Sequence, residues 1–279
     1  MSVGHGGGSS PRGWSLWPPP AGGVADPAAT PPPLLVIAHG SRDPRHAATV
    51  HALTRRVAAA RPGLRVETAF LDLSAPSVPQ TVARLAADGV PAAVALPLLL
   101  TRAFHAKTDI PAVLRESTAG LPGLRLHNAA VLGPSPLLTG ALERRLRQAG
   151  VRPTERPETA VVLASAGSTD PEAAAVIAGV AREWRRTGWR AVRTAYASAS
   201  LPRTEDAVRA LRAAGVRRIA VAPYVLAPGL LPDRIERGAR EAGADVVAPV
   251  LGAAPEVVAL LLQRYDEVSR PALRHLRSA

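Results

Sequence analysis

Residues 35–44 read LVIAHGSRDP, and residues 162–171 read VLASAGSTDP. In each stretch a short apolar run leads into a glycine, a serine and an Asp-Pro pair. An apolar run followed by a helix-capping aspartate and a proline is typical of a buried strand that turns directly into a helix. The two glycines, Gly40 and Gly167, are 127 positions apart. The chain therefore contains the same βα unit twice.

The similarity between the two halves continues downstream. Residues Thr68–Phe70 match Thr194–Tyr196, and residues Leu96–Leu100 match Ala222–Leu226, now 126 positions apart. A nearly constant offset over so much of the chain is typical of an internal duplication. We therefore predict two similar α/β lobes that face each other across a cleft.

Short apolar runs and longer amphipathic stretches alternate within the first half. The predicted strands are Leu34–His39, Arg65–Leu71, Ala92–Pro97 and Arg125–Val131. The predicted helices are Arg45–Arg61, Val78–Asp88, Ile110–Ala119 and Pro134–Ala149. Strands that alternate with helices in this way predict an α/β fold, with a doubly wound parallel sheet in each lobe.

The duplication and the composition together suggest where the chain divides. Residues 1–33 are dominated by glycine, proline and serine and lack the apolar core of a secretory signal, so we predict a disordered tail. The N-terminal lobe is predicted to span 34–150 and the C-terminal lobe 151–279. A polar stretch with two prolines, 151–158, would begin the second lobe as a linker.

The net charge of +12 raises the question of a nucleic-acid partner. Lys107 is the only lysine, the arginines are scattered over every predicted helix, and aromatic residues make up only 3% of the chain. We therefore favour solvated arginine-rich faces over a nucleic-acid surface, although an anionic small substrate stays open. No apolar run approaches the roughly 20 residues of a membrane span, and we expect a cytoplasmic protein with no membrane partner.

Candidate metal ligands follow two of the predicted strands. The chain has no cysteine, so thiolate sites, iron–sulfur clusters and disulfides are excluded. His39 follows the first strand and His105 follows the third, and in a sheet of order 2-1-3 these strand ends are neighbours at the ligand-binding crevice. Two imidazoles suit Co²⁺, Fe²⁺ or Ni²⁺ and leave coordination positions open. The equivalent positions of the second half are Ala166 and Leu231, so both histidines are missing there together.

Aromatic residues also fall at or near predicted strand ends and could flank a flat ligand, although core packing is the default interpretation for each. These residues are Phe70, Phe104, Tyr196 and Tyr224. Trp184 and Trp189, at a helix end and the following turn, are interpreted as structural.

Three groups of motifs resemble one known family. They are His39–Arg42, then Phe70–Asp72 with Pro76–Pro79, and Pro97–Pro111. Together they resemble the sirohydrochlorin chelatases, the class II tetrapyrrole chelatases that make sirohaem and cobalamin precursors. The resemblance covers roughly Leu34 to Val268 and matches the long, two-lobed form.

The resemblance implies a lyase that inserts a divalent metal, Co²⁺ or Fe²⁺, into sirohydrochlorin or its oxidised-ring precursor state, without an organic cofactor. His39 and His105 would coordinate the metal, and one of them would help take protons from the macrocycle. Several residues would contact the carboxylate-fringed substrate: Gly40, Ser41, Arg42, Asp72, Thr101 and Arg102, with Lys107 as a further candidate. Solvated loop charges are an equally good interpretation of the basic residues.

Two positions depart from the family pattern. Family members often carry glutamate where this chain has Asp72, which suits a turn at the end of the second strand equally well. They also commonly have glycine two residues before the second histidine, where this chain has Ala103. That difference bears on the conformation of the loop that carries His105.

Two other functional classes stay open at this stage. A metal or tetrapyrrole carrier could use the same histidines without turnover, and a basic nucleic-acid-binding protein would show affinity that falls steeply with salt. Nucleotide-dependent dehydrogenases and serine hydrolases are not supported. The sequence has no Gly-x-Gly-x-x-Gly after either lobe's first strand, no phosphate-binding Gly-Lys-Ser/Thr loop and no Gly-x-Ser-x-Gly elbow in a suitable context.

Overall fold

A computed structural model describes residues 31–101 and 109–276 of the chain. The strands of the first half are β1 (Leu34–Ala38), β2 (Val66–Phe70), β3 (Ala92–Pro97) and β4 (Arg125–Asn128). Its helices are α1 (Pro44–Ala60), α2 (Val78–Ala87), α3 (Ile110–Thr118) and α4 (Pro136–Gln148). Every predicted strand and helix of this half is therefore present, with small differences at the ends.

The second half repeats this order of elements. Its strands are β5 (Thr159–Ser165), β6 (Ala191–Tyr196), β7 (Arg218–Tyr224) and β8 (Val246–Val247). Its helices are α5 (Pro171–Arg185), α6 (Thr204–Ala213), α7 (Leu230–Glu241) and α8 (Pro255–Leu276). The two sheets are parallel and have matching strand orders, β2-β1-β3-β4 and β6-β5-β7-β8. The predicted fold class of two similar α/β lobes is confirmed.

The central strands are apolar on both faces because helices cover both sides of each sheet. In β1, Leu34, Val36 and Ala38 belong to a core shared by the two halves. The alternate residues, Leu35 and Ile37, belong to a separate cluster beneath α2 and α3. All five are at most 3% exposed, which explains why the strand reads as an unbroken apolar run rather than an alternating one.

The last helix of each half packs against the sheet of the other half. Helix α4 contacts β7 of the second sheet, whereas α8 contacts β3 and β4 of the first. The two exchanged helices also contact each other, and Leu260 and Leu261 of α8 are fully buried in the shared core. Each lobe therefore depends on the other for part of its apolar covering.

The two duplicated βα turns start their helices in the same way. Asp43 caps α1 by accepting a hydrogen bond from the main-chain N–H of Arg45 at 2.9 Å. Asp170 caps α5 by accepting one from Glu172 at the same distance. A proline occupies the beginning of both helices, where its missing N–H has no cost. The predicted capping role of Asp43 is confirmed.

Some of the predicted organisation is not tested by the structure. Residues 1–30 lie outside the described residues, so the disordered tail stays a prediction, as do the boundaries of the two lobes. The predicted linker contains a short 3₁₀ helix, Pro153–Glu155. None of the described helices is long and apolar enough to cross a membrane.

Candidate functional site

A cavity of about 310 Å³ lies where the carboxyl ends of the two sheets meet. We call it the interlobe cavity. The first half contributes His46 and Leu98–Thr101, and the second half contributes Ser165–Ser168, Ala173, Ala174, Ile177, Tyr196 and Tyr224–Leu226. Because the carboxyl ends of parallel strands are where ligands bind in doubly wound folds, this cavity is the candidate site.

His39 is the first residue after β1 and is exposed to solvent. Its carbonyl oxygen accepts a hydrogen bond from the main-chain N–H of Asp72 at 3.0 Å, which ties the loop after β1 to the loop after β2. The backbone is therefore held in place while the imidazole is left at the surface. That arrangement suits a side chain that must meet a ligand arriving from solvent.

Gly40 has a packing role that its counterpart shares. A Cβ atom added at Gly40, where φ is +98°, would lie 1.7 Å from the carbonyl oxygen of Asp72. At Gly167, where φ is +92°, it would lie 1.9 Å from the carbonyl oxygen of Ser198. A Cβ atom cannot approach a carbonyl oxygen that closely, so only glycine fits either position. The contact of Gly40 with substrate stays a prediction.

Ser41 also makes a hydrogen bond that the second half repeats. Its hydroxyl accepts from the main-chain N–H of Asp43 at 3.1 Å, and the hydroxyl of Ser168 accepts from Asp170 at the same distance. Such bonds from a serine to the backbone two residues on stabilise tight turns. The serine is therefore part of the shared scaffold, and its contact with substrate stays a prediction.

Some side chains of the two βα turns differ in chemical type. Three of the pairs that differ, at an offset of 127 positions, are His39 with Ala166, Arg42 with Thr169, and His46 with Ala173. In each pair the first half carries the basic or imidazole group and the second half carries a small residue. The glycine, serine and aspartate that both halves share build the turn. The side chains that only the first half carries are available for chemistry.

His46 is the residue that sequence reasoning missed. It lies in the first turn of α1, lines the interlobe cavity and is half-buried. Burial lowers its pKa and the nearby charge of His39 lowers it further, whereas Asp43 acts in the opposite direction. The offset that identified Ala166 would have identified Ala173 as the counterpart of His46.

The other predicted substrate contacts fall into two groups among the described residues. Thr101 lines the interlobe cavity and is half-buried. Arg42 is exposed and forms no ion pair with the described residues. Asp72 is exposed, and its carboxylate accepts a hydrogen bond from the main-chain N–H of Leu73 at 2.7 Å, which fits its interpretation as a turn residue.

His105 is the second predicted metal ligand. His105 lies outside the described residues, as do Arg102, Ala103, Phe104 and Lys107. The predicted roles of His105, Arg102 and Lys107 therefore stay predictions. In the second half, the counterpart of His105 is Leu231, a half-buried residue that packs against the core beneath α6 and α7.

Among the aromatic residues near the strand ends, some lie only in the core and others also line the interlobe cavity. Phe70 is fully buried in the shared core, which confirms the packing interpretation. Tyr196 and Tyr224 are also buried, yet both line the interlobe cavity. The hydroxyl of Tyr224 has no hydrogen-bond partner among the described residues, and burial raises its pKa.

Trp184 and Trp189 are structural, as predicted. They are 1% and 4% exposed, and both indole N–H groups donate to Oε1 of Glu143, at 2.7 Å and 2.9 Å. The other carboxylate oxygen of Glu143 accepts from Arg156. This network joins α4 to the second half near the exchanged helices.

The loop after β1 faces the start of α7 across the gap between the lobes. A Cβ atom added at Gly229 would lie 3.9 Å from the hydroxyl oxygen of Ser41. The guanidinium of Arg45 contacts Asp43 of its own loop and Asp233 of α7, each at 2.5 Å. Both lobes therefore border the region around His39, although this exposed ion pair adds little stability.

A larger groove of about 710 Å³ lies between α4 and α5, away from the strand ends. Its charged residues include Glu143 and Arg156, which already bind each other and the tryptophans. The smaller interlobe cavity is the better candidate because it lies at the carboxyl ends of both sheets and contains an imidazole.

Comparison with known proteins places the chain in a family. The CbiX family model matches residues 33–149 and again residues 160–268. A sirohydrochlorin cobaltochelatase of Priestia megaterium is 28% identical over 205 residues, which cover 73% of this chain and 67% of that protein. A sirohydrochlorin ferrochelatase of Bacillus subtilis (strain 168) is 25% identical over 248 residues, which cover 85% of this chain and 91% of that protein.

Solved structures share the fold. SirB from Bacillus subtilis with Fe³⁺ matches with a TM-score of 0.76 and 24% identity, covering 87% of this chain and 97% of that one. The structure of CbiX, the terminal enzyme for siroheme biosynthesis in denitrifying bacteria, matches with a TM-score of 0.61 and 20% identity, covering 84% and 98%. The double match to the family model agrees with the internal duplication and with the resemblance carried by the sequence motifs. The chain belongs to the CbiX family.

Proposed function

We propose that the protein is a sirohydrochlorin chelatase that inserts Co²⁺ or Fe²⁺ into the metal-free tetrapyrrole. The observation that carries the proposal is that the two halves share a fold, but only the first half has a histidine after its first strand. His39 follows β1, a central strand of the first sheet, and its charge lies near His46, which lines the cavity built by both lobes, whereas its own counterpart is Ala166. The names of the cobaltochelatase and ferrochelatase relatives support the same reaction.

Metal insertion requires two changes that an imidazole site can promote. The cation must exchange water for nitrogen ligands, and the macrocycle must lose two pyrrolic protons, which leave to solvent or a base. In the proposal His39 and His105 hold the incoming metal, and one of them assists proton removal. Two protein ligands leave the coordination sphere open, so the metal can pass to the four nitrogens of the substrate.

The interlobe cavity suits part of a flat macrocycle. Its walls are mostly apolar, with Leu98–Leu100 on one side and Ile177 and Val225 on the other. Its volume of about 310 Å³ is at the low end for pockets that bind small molecules, roughly 300 to 1,000 Å³. The ring would therefore enter by one edge, and its carboxylate arms would extend toward the loops at the opening.

Several residues of the first half would contact those carboxylates or the ring. Arg42 and Arg102 are proposed as charged clamps, and Thr101 as a polar group in the cavity wall. Gly40, Ser41 and Asp72 are proposed to shape the approach to His39 mainly through their backbone. No organic cofactor is part of the proposal.

The choice of metal follows from ligand chemistry rather than from the fold. Imidazole nitrogen binds Co²⁺, Fe²⁺ and Ni²⁺, and selection among them depends on supply as well as affinity. We propose Co²⁺ or Fe²⁺ as the physiological substrate, with Ni²⁺ as a further cation that the site accepts. A cytoplasmic location is part of the same proposal, and a chain without cysteine is compatible with reducing conditions.

The test is anaerobic insertion of Co²⁺ and Fe²⁺, supplied separately, into sirohydrochlorin, followed by its absorbance change. We expect acceleration over the uncatalysed reaction with at least one metal, and loss of that acceleration in His105→Ala. Binding of sirohydrochlorin without any acceleration would contradict the proposal and would indicate a carrier. The ratio of the two rates would identify the preferred metal.

A further inference from the structure

His46 is the only histidine among the described residues that line the interlobe cavity. Its ring lies near that of Phe70, with ring centroids 6.4 Å apart and planes at 55° to each other. Its Nδ1 atom is buried and has no hydrogen-bond partner among the described residues. The ring is therefore packed on one side, and its remaining surface forms part of the cavity wall.

The unpaired Nδ1 indicates which nitrogen carries the proton. A buried N–H without an acceptor is rarer in proteins than a buried acceptor without a donor, so the favoured neutral tautomer leaves Nδ1 unprotonated. The proton is then on Nε2, the other nitrogen bonded to Cε1. Histidines that bind metals usually donate their second N–H to a partner, and Nδ1 of His46 has none among the described residues.

The second half shows what the cavity is like without this group. Ala173 is the counterpart of His46 and lines the same cavity from the other lobe. Its neighbours Ala174 and Ile177 are also apolar. The imidazole therefore adds a hydrogen-bond donor to a cavity to which the second half contributes only a methyl group at the equivalent position.

We infer that His46 positions the tetrapyrrole by donating a hydrogen bond from Nε2 to one of its carboxylates. The inference rests on the proposed function, which supplies the macrocycle. A carboxylate is the acceptor of choice because His46 lies in the first turn of α1, where the helix end favours negative charge. His46 is thus a positioning residue that orients the substrate, while His39 and His105 receive the metal.

The experiment is fluorescence titration of metal-free sirohydrochlorin, which measures binding without turnover. His46→Ala should weaken binding by about tenfold or more, the usual effect of losing a hydrogen bond to a charged acceptor. His46→Gln should stay within about threefold of wild type, because its amide N–H₂ lies close to the position of Nε2 and also donates. His51→Ala is the matched control, since His51 lies on the same helix, 5.7 Å from the Phe70 ring, and does not line the cavity.

Cobalt titration of the same variants, without tetrapyrrole, separates positioning from metal binding. We expect His46→Ala to bind Co²⁺ like wild type. Unchanged sirohydrochlorin affinity in His46→Ala, equal losses in the Gln and Ala variants, or loss of Co²⁺ affinity in His46→Ala would each overturn the inference.

Failure of the proposed function would look different. Wild-type protein that binds sirohydrochlorin but does not accelerate insertion would sink the chelatase proposal while leaving the role of His46 in binding intact. Wild-type protein that does not bind sirohydrochlorin would overturn both. Thermal unfolding of each variant shows that the protein compared is folded.

Discussion

Replacing Gly40 or Gly167 by alanine should destabilise the protein to a similar extent, although only Gly40 adjoins a histidine. Each glycine has a positive φ, and an added Cβ would lie 1.7 Å or 1.9 Å from a carbonyl oxygen on the neighbouring loop. A non-glycine residue in such a conformation costs about 1 to 3 kcal/mol. Forcing the neighbouring backbone aside costs about another 1 to 3 kcal/mol.

The free energy of unfolding should therefore fall by about 2 to 6 kcal/mol in either variant. For a protein of this size each kcal/mol lowers the melting temperature by about 2 to 4 °C. Thermal and urea unfolding of both variants, measured beside wild type, would give the two losses directly. Replacing a glycine in open space, Gly63→Ala, gives the control for a positive φ without the clash.

Comparing Gly40→Ala with Gly167→Ala tests whether the residues shared by the two turns have the same structural role in both halves. If Gly40→Ala were within about 0.5 kcal/mol of wild type, the range expected for an ordinary surface substitution, the packing explanation would be wrong. If Gly40→Ala were destabilised and Gly167→Ala were not, the two turns would not be structurally equivalent. Either result would remove the basis for assigning function to the residues that differ between them.

Three further predictions concern the exchanged helices and the cavity wall. Leu261→Ala in α8 should lower the free energy of unfolding in urea by about 2 to 5 kcal/mol, because the side chain is fully buried in the core shared by both halves. A loss below about 1 kcal/mol would show that α8 contributes little to the stability of that core. Glu256 of α8 pairs with Arg144 of α4 at 2.7 Å, and the hydrogen bond from Arg144 lowers the pKa of Glu256 below its usual 4.5. A lowered carboxyl pKa adds stability above pH 4.5, and this stability is lost as the pH falls through the pKa of the folded state. The free energy of unfolding of wild type should therefore exceed that of Glu256→Gln by up to about 1 kcal/mol at pH 7. The two values should converge in acid, as unfolding measured over a range of pH would show. Tyr224→Phe should be at least as stable as wild type in thermal unfolding, because it removes a buried hydroxyl that lacks a partner among the described residues. A fall of several degrees in the melting temperature would show that the hydroxyl makes a stabilising hydrogen bond.

Local patterns were enough to predict most of the fold. The apolar run before His39 and the Asp43-Pro44 pair after it define a buried strand and a capped helix through short-range interactions alone. The duplication then extended one βα unit to two lobes. The end of β4 was less accurate, because Val131 is buried in a coil segment after the strand ends at Asn128, and an apolar residue does not distinguish the two.

The parts that could not be predicted depend on contacts between the halves. An amphipathic helix such as α4 or α8 shows which face is apolar but not which sheet will cover it, so the helix exchange is invisible in the sequence. The duplication offset pairs His46 with Ala173, but the sequence does not show that either residue lines a cavity. The significance of His46 comes from the cavity that both lobes build, and only the structure brings His46 and Ala173 to that cavity.

The most direct test of the central claim is the rate of anaerobic Co²⁺ insertion into sirohydrochlorin by His39→Ala. The claim is that chemistry is confined to the residues that only the first half carries. We expect His39→Ala to fall to the uncatalysed rate, while His51→Ala, matched for residue type, stays close to wild type. Insertion by folded His39→Ala at the wild-type rate would contradict the account.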